Sequence, residues 1–70
     1  MAIGWILVPQ PPVNVRVRWE RRPRHWVEVR TAANEGFEVV DSTGFAEVVS
    51  TLDVALELAY ERQQDIDGLE

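Results

Sequence analysis

Residues 13–20 read Val-Asn-Val-Arg-Val-Arg-Trp-Glu, and this stretch decides the fold. Its odd-numbered positions hold three valines and a tryptophan, whereas its even-numbered positions hold asparagine, two arginines and a glutamate. Successive side chains of a β-strand point to opposite faces, so a period of two separates these residues into two sets. The stretch therefore predicts a strand with one apolar face and one polar face.

A second strand is predicted at residues 25–31, after a turn at residues 21–24 that contains a proline. In an antiparallel pair, Val27 and Val29 would face the core together with the valines of the first strand. This arrangement places Trp26 on the opposite face. There it would lie beside four charged side chains, which are Arg16, Arg18, Glu28 and Arg30.

Further segments complete the predicted sheet. Residues 3–8 form an apolar run typical of a buried strand, and three prolines within residues 9–12 end it and favour an extended connector. This strand could pair within the chain, cover the Trp26 face or pair with a second copy. Residues 37–41 predict another strand, and the turn chemistry of residues 41–44 follows it. Residues 45–49 then return as a short strand or lead into a helix.

The C-terminal part predicts a helix over residues 50–66. Ser50 would cap its free amides, and Asp53, three residues later, would complete a capping box. An apolar stripe with i, i+3, i+4 spacing would face the sheet. Its members are Leu52, Ala55, Leu56, Ala59, Tyr60 and Gln63. Residues 67–70 are expected to fray.

These elements predict one small α+β domain over residues 1–70. An antiparallel sheet of four to five strands, with residues 13–49 as its main part, would carry one C-terminal helix on one face in the order β-β-β-β-α. A chain of 70 residues buries a modest core, so a partner subunit, including a second copy of the chain, is an open source of extra stability.

The charge is divided between the two halves of the chain. Every basic residue is an arginine, and six of the seven fall within residues 16–30. Residues 1–35 carry a formal charge of +3 and residues 36–70 carry −8, which gives the net −5. An acidic protein attracts basic partners and repels nucleic acid and anionic membranes. We therefore expect a basic protein partner, no membrane and no direct contact with nucleic acid.

Few residues could support chemistry. The chain has no cysteine and no lysine, and it has one histidine and one tyrosine. Disulfides and thiolate metal sites are excluded, and few groups remain whose pKa could be tuned for catalysis. We expect a non-catalytic protein without cofactor or metal. The N-terminal apolar run is too short for a membrane span and lacks the features of a signal peptide, which together with the missing cysteines favours the cytoplasm.

The outer face of the predicted helix is the first candidate binding surface. Four carboxylates recur every fourth residue at Asp53, Glu57, Glu61 and Asp65, and Glu38 and Glu47 could join them from the sheet. Such a surface could contact an arginine-rich partner or imitate a row of phosphates. The alternative is an ordinary solvated helix face.

The polar face of the first hairpin is the second candidate. Arginines around an aromatic ring can hold phosphates and stack a base, and tryptophan and arginine are also favoured anchors of protein interfaces. A self-contained cation–π contact would explain the same pattern. The candidate residues are Arg16, Arg18, Trp26 and Arg30.

Residues 36–60 resemble a known protein family in the spacing between their glycines and the start of the predicted helix. Gly36-Phe37 begins a strand, Gly44 follows it, and Thr51-Leu52-Asp53-Val54-Ala55-Leu56 begins seven residues after that glycine. The segment resembles the HicB-type antitoxins, small domains of three strands followed by a helix. The resemblance implies binding and inhibition of a small basic RNA-cleaving toxin.

In its overall type, the chain also resembles phage anti-CRISPR proteins, which are often short, acidic and free of cysteine. We therefore expect a small acidic inhibitor that binds and blocks a nucleic-acid-processing protein, in the manner of an antitoxin or an anti-CRISPR protein. A small RNA- or DNA-binding module built on the Arg and Trp residues and a homodimeric structural module are the alternatives.

Overall fold

The computed structural model describes residues 4–69. It contains a five-stranded antiparallel sheet and one C-terminal helix packed against it, so the predicted α+β fold is confirmed. The strands and the helix are β1 (Ile6–Leu7), β2 (Val15–Arg21), β3 (His25–Thr31), β4 (Phe37–Asp41), β5 (Ala46–Val49) and α1 (Leu52–Gly68). A single 3-10 turn, Ala33–Glu35, lies in the predicted loop between β3 and β4.

The strands are ordered as they occur in the chain, from β1 at one edge to β5 at the other. The register pairs Trp19 with Val27 and Val29 with Val39, which sets these residues on the face that α1 covers. We call this the helix face. The other face, which carries Trp26 and Glu28, is called the open face. The predicted division into an apolar and a polar side is confirmed for β3 and for β2 from Val17 onward. The pairing is irregular between Val15 and Val17, so Val15 pairs with Arg30 of the open face, and the expectation that Val15 faces the core is wrong.

The core lies between the helix face and α1. Val27, Val29 and Val39 are fully buried, and Ala55, Ala59 and Ile66 of α1 are fully buried as well. Two small alanines allow the helix backbone to approach the sheet closely. Leu52 and Leu56 pack against this core from the predicted stripe.

Gln63 and Tyr60 are the remaining two members of the predicted apolar stripe. Gln63 is buried at 8% exposure, as the stripe predicts. Tyr60 is 53% exposed and lies at the flank of the helix, where its ring contacts Trp19 at a centroid distance of 5.5 Å. The expectation that Tyr60 faces the sheet is therefore only partly met.

The ends of α1 differ from the prediction. Thr51, not Ser50, is the N-cap, because its hydroxyl accepts a hydrogen bond from the Val54 N–H at 3.2 Å. The predicted capping by Ser50 is wrong. Helical backbone also continues to Gly68.

Asp67 and Gly68, which belong to the segment expected to fray, are helical. The carboxylate of Asp67 accepts a hydrogen bond from Trp5 Nε1 at 3.1 Å and contacts Arg21 at 3.2 Å. These contacts tie the last helical turn to the N-terminal segment. Glu70 lies outside the described residues.

The N-terminal strands are shorter than predicted. β1 has two residues and pairs with β2 at the edge of the sheet, so it does not cover the open face. Ile6 and Leu7 are both exposed, so the expectation of a buried strand is wrong. Ile3, the first residue of the predicted strand, lies outside the described residues. β2 begins at Val15 because the Val15 N–H bonds to the Pro12 carbonyl at 2.9 Å and closes a turn, which leaves Val13 fully exposed.

Candidate functional site

The outer face of α1 presents the four predicted carboxylates to solvent. Asp53, Glu57, Glu61 and Asp65 are all exposed, and we call this set the acidic ridge. Each step of four residues advances about 6 Å along the helix axis. The ridge is therefore a row of charges that a flat or grooved basic surface could contact along its length.

The four members of the acidic ridge differ in their surroundings. Asp65 accepts a hydrogen bond from Arg62 Nη1 at 2.9 Å, which offsets part of its charge. Within residues 4–69, Asp53, Glu57 and Glu61 form no side-chain hydrogen bond and no ion pair. The part of the acidic ridge with uncompensated charge is thus its N-terminal three residues.

The two carboxylates expected to join from the sheet lie on opposite faces of it. Glu47 pairs with Val39, so it lies on the same side of the sheet as α1, and it is exposed. Glu38 pairs with Val48 and Arg30 on the open face. One partner surface resting on α1 could therefore reach Glu47, whereas Glu38 belongs with the arginine and tryptophan residues.

On the open face, the structure brings together three residues of the second candidate set. The Arg18 guanidinium lies 4.9 Å from the centroid of the Trp26 ring. Arg18 also donates to Glu20 at 2.8 Å and to Glu28, and Arg30 donates from Nε to Glu28 at 2.8 Å. Two arginines therefore converge on a single glutamate.

Glu28 is the residue of this cluster that the sequence did not identify as central. It was predicted to lie on the polar face, yet it is only 3% exposed because Arg18 and Arg30 lie over it. A buried carboxylate is stable only when it is paired and hydrogen-bonded. Alternation of polar residues indicates the face but not the depth, so no signal in the sequence distinguishes Glu28 from an exposed glutamate.

The arginines and glutamates of this cluster pair with one another. Burial of the Arg18 guanidinium opposes its charge, but the hydrogen bonds and negative charges of Glu20 and Glu28 outweigh burial and raise the pKa of Arg18 above its usual value. A phosphate would have to displace these carboxylates. Arg16 lies apart, exposed at the irregularity in the pairing of β2 with β3.

A second buried ion pair lies where β4 ends. Asp41 has a fully buried side chain, and Arg62 of α1 donates to it from Nε at 2.8 Å. The Arg62 guanidinium also lies 4.2 Å from the ring centroid of Phe45. The Thr43 N–H donates to the other carboxylate oxygen at 2.8 Å, as expected for an aspartate that opens a turn, and Gly44 follows with a φ of 96°.

Burial alone would raise the pKa of Asp41, but hydrogen bonds from Thr43 and Arg62 and the charge of Arg62 outweigh it, so the pKa lies below its usual value. The sequence predicts the turn but not the ion pair, because Arg62 lies 21 residues away in the chain. This pair joins the helix to the sheet and has a structural role.

The described residues contain no feature typical of a small-molecule site. No pocket and no group of three or more potential metal ligands occurs among residues 4–69. No helix in this part of the chain is both long and apolar enough to cross a membrane.

Comparisons with protein-family models, with curated proteins and with solved structures gave no match to this chain.

Proposed function

We propose that the protein is a small non-catalytic inhibitor that binds a basic surface of a nucleic-acid-processing protein through the acidic ridge of α1. The observation that carries this proposal is that Asp53, Glu57 and Glu61 are exposed and have no ionic partner within residues 4–69. Like charges four residues apart on a helix repel by about 0.2–0.5 kcal/mol per pair. A basic partner would relieve that repulsion, and its relief would favour binding.

The distribution of the arginines supports the same choice. Arg18, Arg21, Arg30 and Arg62 each contact a carboxylate of this chain. Three of these four belong to the six arginines of residues 16–30, whereas the exposed carboxylates Asp53, Glu57 and Glu61 of α1 have no ionic partner within residues 4–69. Long-range attraction would therefore favour a basic partner, with association that weakens as salt screens the charges.

The same contacts weigh against direct nucleic-acid binding. Arg18, which lies over the Trp26 ring, and Arg30 both bind Glu28. Phosphate contact would break these ion pairs and leave a buried carboxylate uncompensated, which is costly. We therefore regard Trp26, Arg18 and Arg30 as part of an internal cluster of the fold.

Within this function, an antitoxin-like and an anti-CRISPR-like role differ in the identity of the partner. The first implies a small basic RNA-cleaving toxin, and the second implies a nucleic-acid-handling defence complex. Both place the protein in the cytoplasm. A neighbouring gene for a small toxin would support the first role, and neighbouring phage genes would support the second.

Capture followed by an activity assay tests the proposal. The tagged protein would be incubated with a nuclease-treated extract of its source cells, so that nucleic acid cannot bridge the two proteins. We expect recovery of a nucleic-acid-processing protein whose activity is abolished by an equimolar amount of this chain. Recovery of a partner whose activity does not change would contradict the inhibitory role.

A further inference from the structure

The outer edge of β5 is a backbone surface without a partner among residues 4–69, since β5 is the last strand of the sheet. An exposed strand edge presents N–H and C=O groups that can pair with another extended chain. The opposite edge, formed by β1, is only two residues long, whereas β5 has four. β5 is therefore the longer of the two edge strands.

One hydrogen bond shows which groups of β5 point outward. The Asp41 N–H donates to the Phe45 carbonyl at 3.2 Å, so the backbone of Phe45 faces β4. Backbone groups of successive residues in a strand point in opposite directions. Glu47 and Val49 therefore also bond to β4, and Ala46 and Val48 direct their N–H and C=O groups away from the sheet.

The side chains beside this edge define what could pair with it. Val48 lies on the open face with 61% of its surface exposed, and Ala46 is exposed on the same face. Glu47 is exposed on the helix face, on the same side of the sheet as the acidic ridge. An added strand would thus meet two small apolar residues on one face and a carboxylate on the other.

We propose that an extended segment of the basic partner adds to the sheet as an antiparallel strand against β5. Its apolar residues would lie opposite Ala46 and Val48, and an arginine or lysine between them would lie opposite Glu47. Opposite charges across neighbouring strands stabilise a sheet, and backbone pairing with alternate side-chain contacts is an established mode of peptide recognition. This inference rests on the proposed function, since it assigns the basic partner a second point of attachment.

Charge also selects this occupant over a second copy of the chain. A two-fold pairing that used the outward groups of both Ala46 and Val48 would be centred on Glu47. It would place two Glu47 carboxylates directly opposite each other, and like charges in that position destabilise the pairing. A basic strand from another protein meets no such repulsion.

A peptide titration tests the inference. The probe is a peptide with blocked termini and the sequence Thr-Val-Arg-Val-Thr, and its control has glutamate in place of arginine. Binding is followed by NMR of the isotope-labelled protein. We expect the Ala46 and Val48 amides to shift and to exchange more slowly with water, and we expect the control peptide to bind roughly tenfold more weakly. Unchanged exchange at both amides, or equal affinity for the two peptides, would overturn the inference.

A matched pair of variants tests the backbone contact. Val48→Pro removes an N–H that β4 does not use, and Val48→Thr keeps it with a similarly branched side chain. We expect roughly tenfold weaker peptide binding for the proline variant and a change within about twofold for the threonine variant. If the proline variant does not fold, amide exchange in the unmodified protein still decides the question.

The outcomes separate this inference from the proposed function. If Val48→Pro leaves binding of the captured partner unchanged while Glu57→Lys with Glu61→Lys abolishes it, the edge inference fails and the proposed function stands. If neither change affects the partner, both fail. If the protein dimerises by itself and Val48→Pro abolishes the dimer, β5 binds a second copy, and the proposed occupant is wrong.

Discussion

Replacing Arg62 with methionine is expected to destabilise the fold by about 2–3 kcal/mol. Methionine keeps much of the length, but it removes the cation from Asp41, whose side chain is fully buried, and from the ring of Phe45. The uncompensated carboxylate then remains in the interior. Total stability for a domain of this size is about 4–10 kcal/mol, so the loss is a large fraction of it.

The magnitude follows from the surroundings of the pair. Removing one partner of a fully buried ion pair costs about 3–5 kcal/mol. Here Thr43 continues to donate to Asp41, and the Arg62 side chain is 18% exposed, so water can replace part of the lost contact. Loss of the exposed Asp65 contact adds at most about 0.5 kcal/mol.

Urea unfolding monitored by tryptophan fluorescence measures this loss near pH 7. Asp41→Asn combined with Arg62→Met should recover part of the stability, since the double variant buries no charge. A single variant within about 0.5 kcal/mol of the unmodified protein, or a double variant no more stable than the single one, would refute the reasoning.

The same pair gives a pH dependence. Because the pKa of Asp41 in the folded state is lowered from 3.8, its contribution to stability is complete above that value and is lost as pH falls through the lower folded value. In Arg62→Met, Asp41 loses the cation that favours its charged form and takes up a proton more readily, so the difference in stability between the two proteins should shrink as the pH falls through the acid range. A difference that stays constant into that range would exclude ionised Asp41 as the cause.

The remaining predictions concern the core, the helix cap and nucleic acid. Ile66→Ala should cost about 2–4 kcal/mol in urea unfolding, because Ile66 is fully buried among the valines of the sheet, and a loss below about 1 kcal/mol would contradict that packing. Thr51→Ala should cost about 1 kcal/mol while Ser50→Ala changes little, and the reverse order would place the cap at Ser50. The isolated protein should not shift single-stranded RNA or duplex DNA in gels at low salt, and a shift that Arg16→Ala abolishes would instead support the nucleic-acid-binding alternative.

The sheet could be predicted from the sequence because its information is local. Alternation in residues 17–20 and 25–31 determines which side chains share a face, and turn residues determine where β3 and β4 end. The irregular pairing between Val15 and Val17 interrupts the alternation of residues 13–17, and nothing in the sequence pattern indicates it. The predicted N-cap is wrong because a single hydrogen bond decides where the helix begins. Thr51 and Ser50 are equally suitable caps by composition, and only the position of the first helical turn selects Thr51.

The candidate surfaces were predictable to a different extent. The exposure of the acidic ridge follows from helical periodicity, which is again local. The burial of Glu28, the pairing of Asp41 with Arg62 and the separation of Glu38 from Glu47 depend on the packing of distant segments. Such contacts leave no periodic signal, so the sequence indicated the residue types but not their partners.

The most direct test of the central claim compares two doubly charge-reversed proteins against the captured partner by calorimetry. Glu57→Lys with Glu61→Lys reverses two of the three uncompensated carboxylates of the acidic ridge, and Glu35→Lys with Glu38→Lys makes the same change in net charge outside the ridge. If the partner binds the acidic ridge, the first protein should bind roughly tenfold or more weakly and the second should bind almost normally. Equal weakening of both, or no weakening of the first, would contradict the claim that the outer face of α1 is the binding surface.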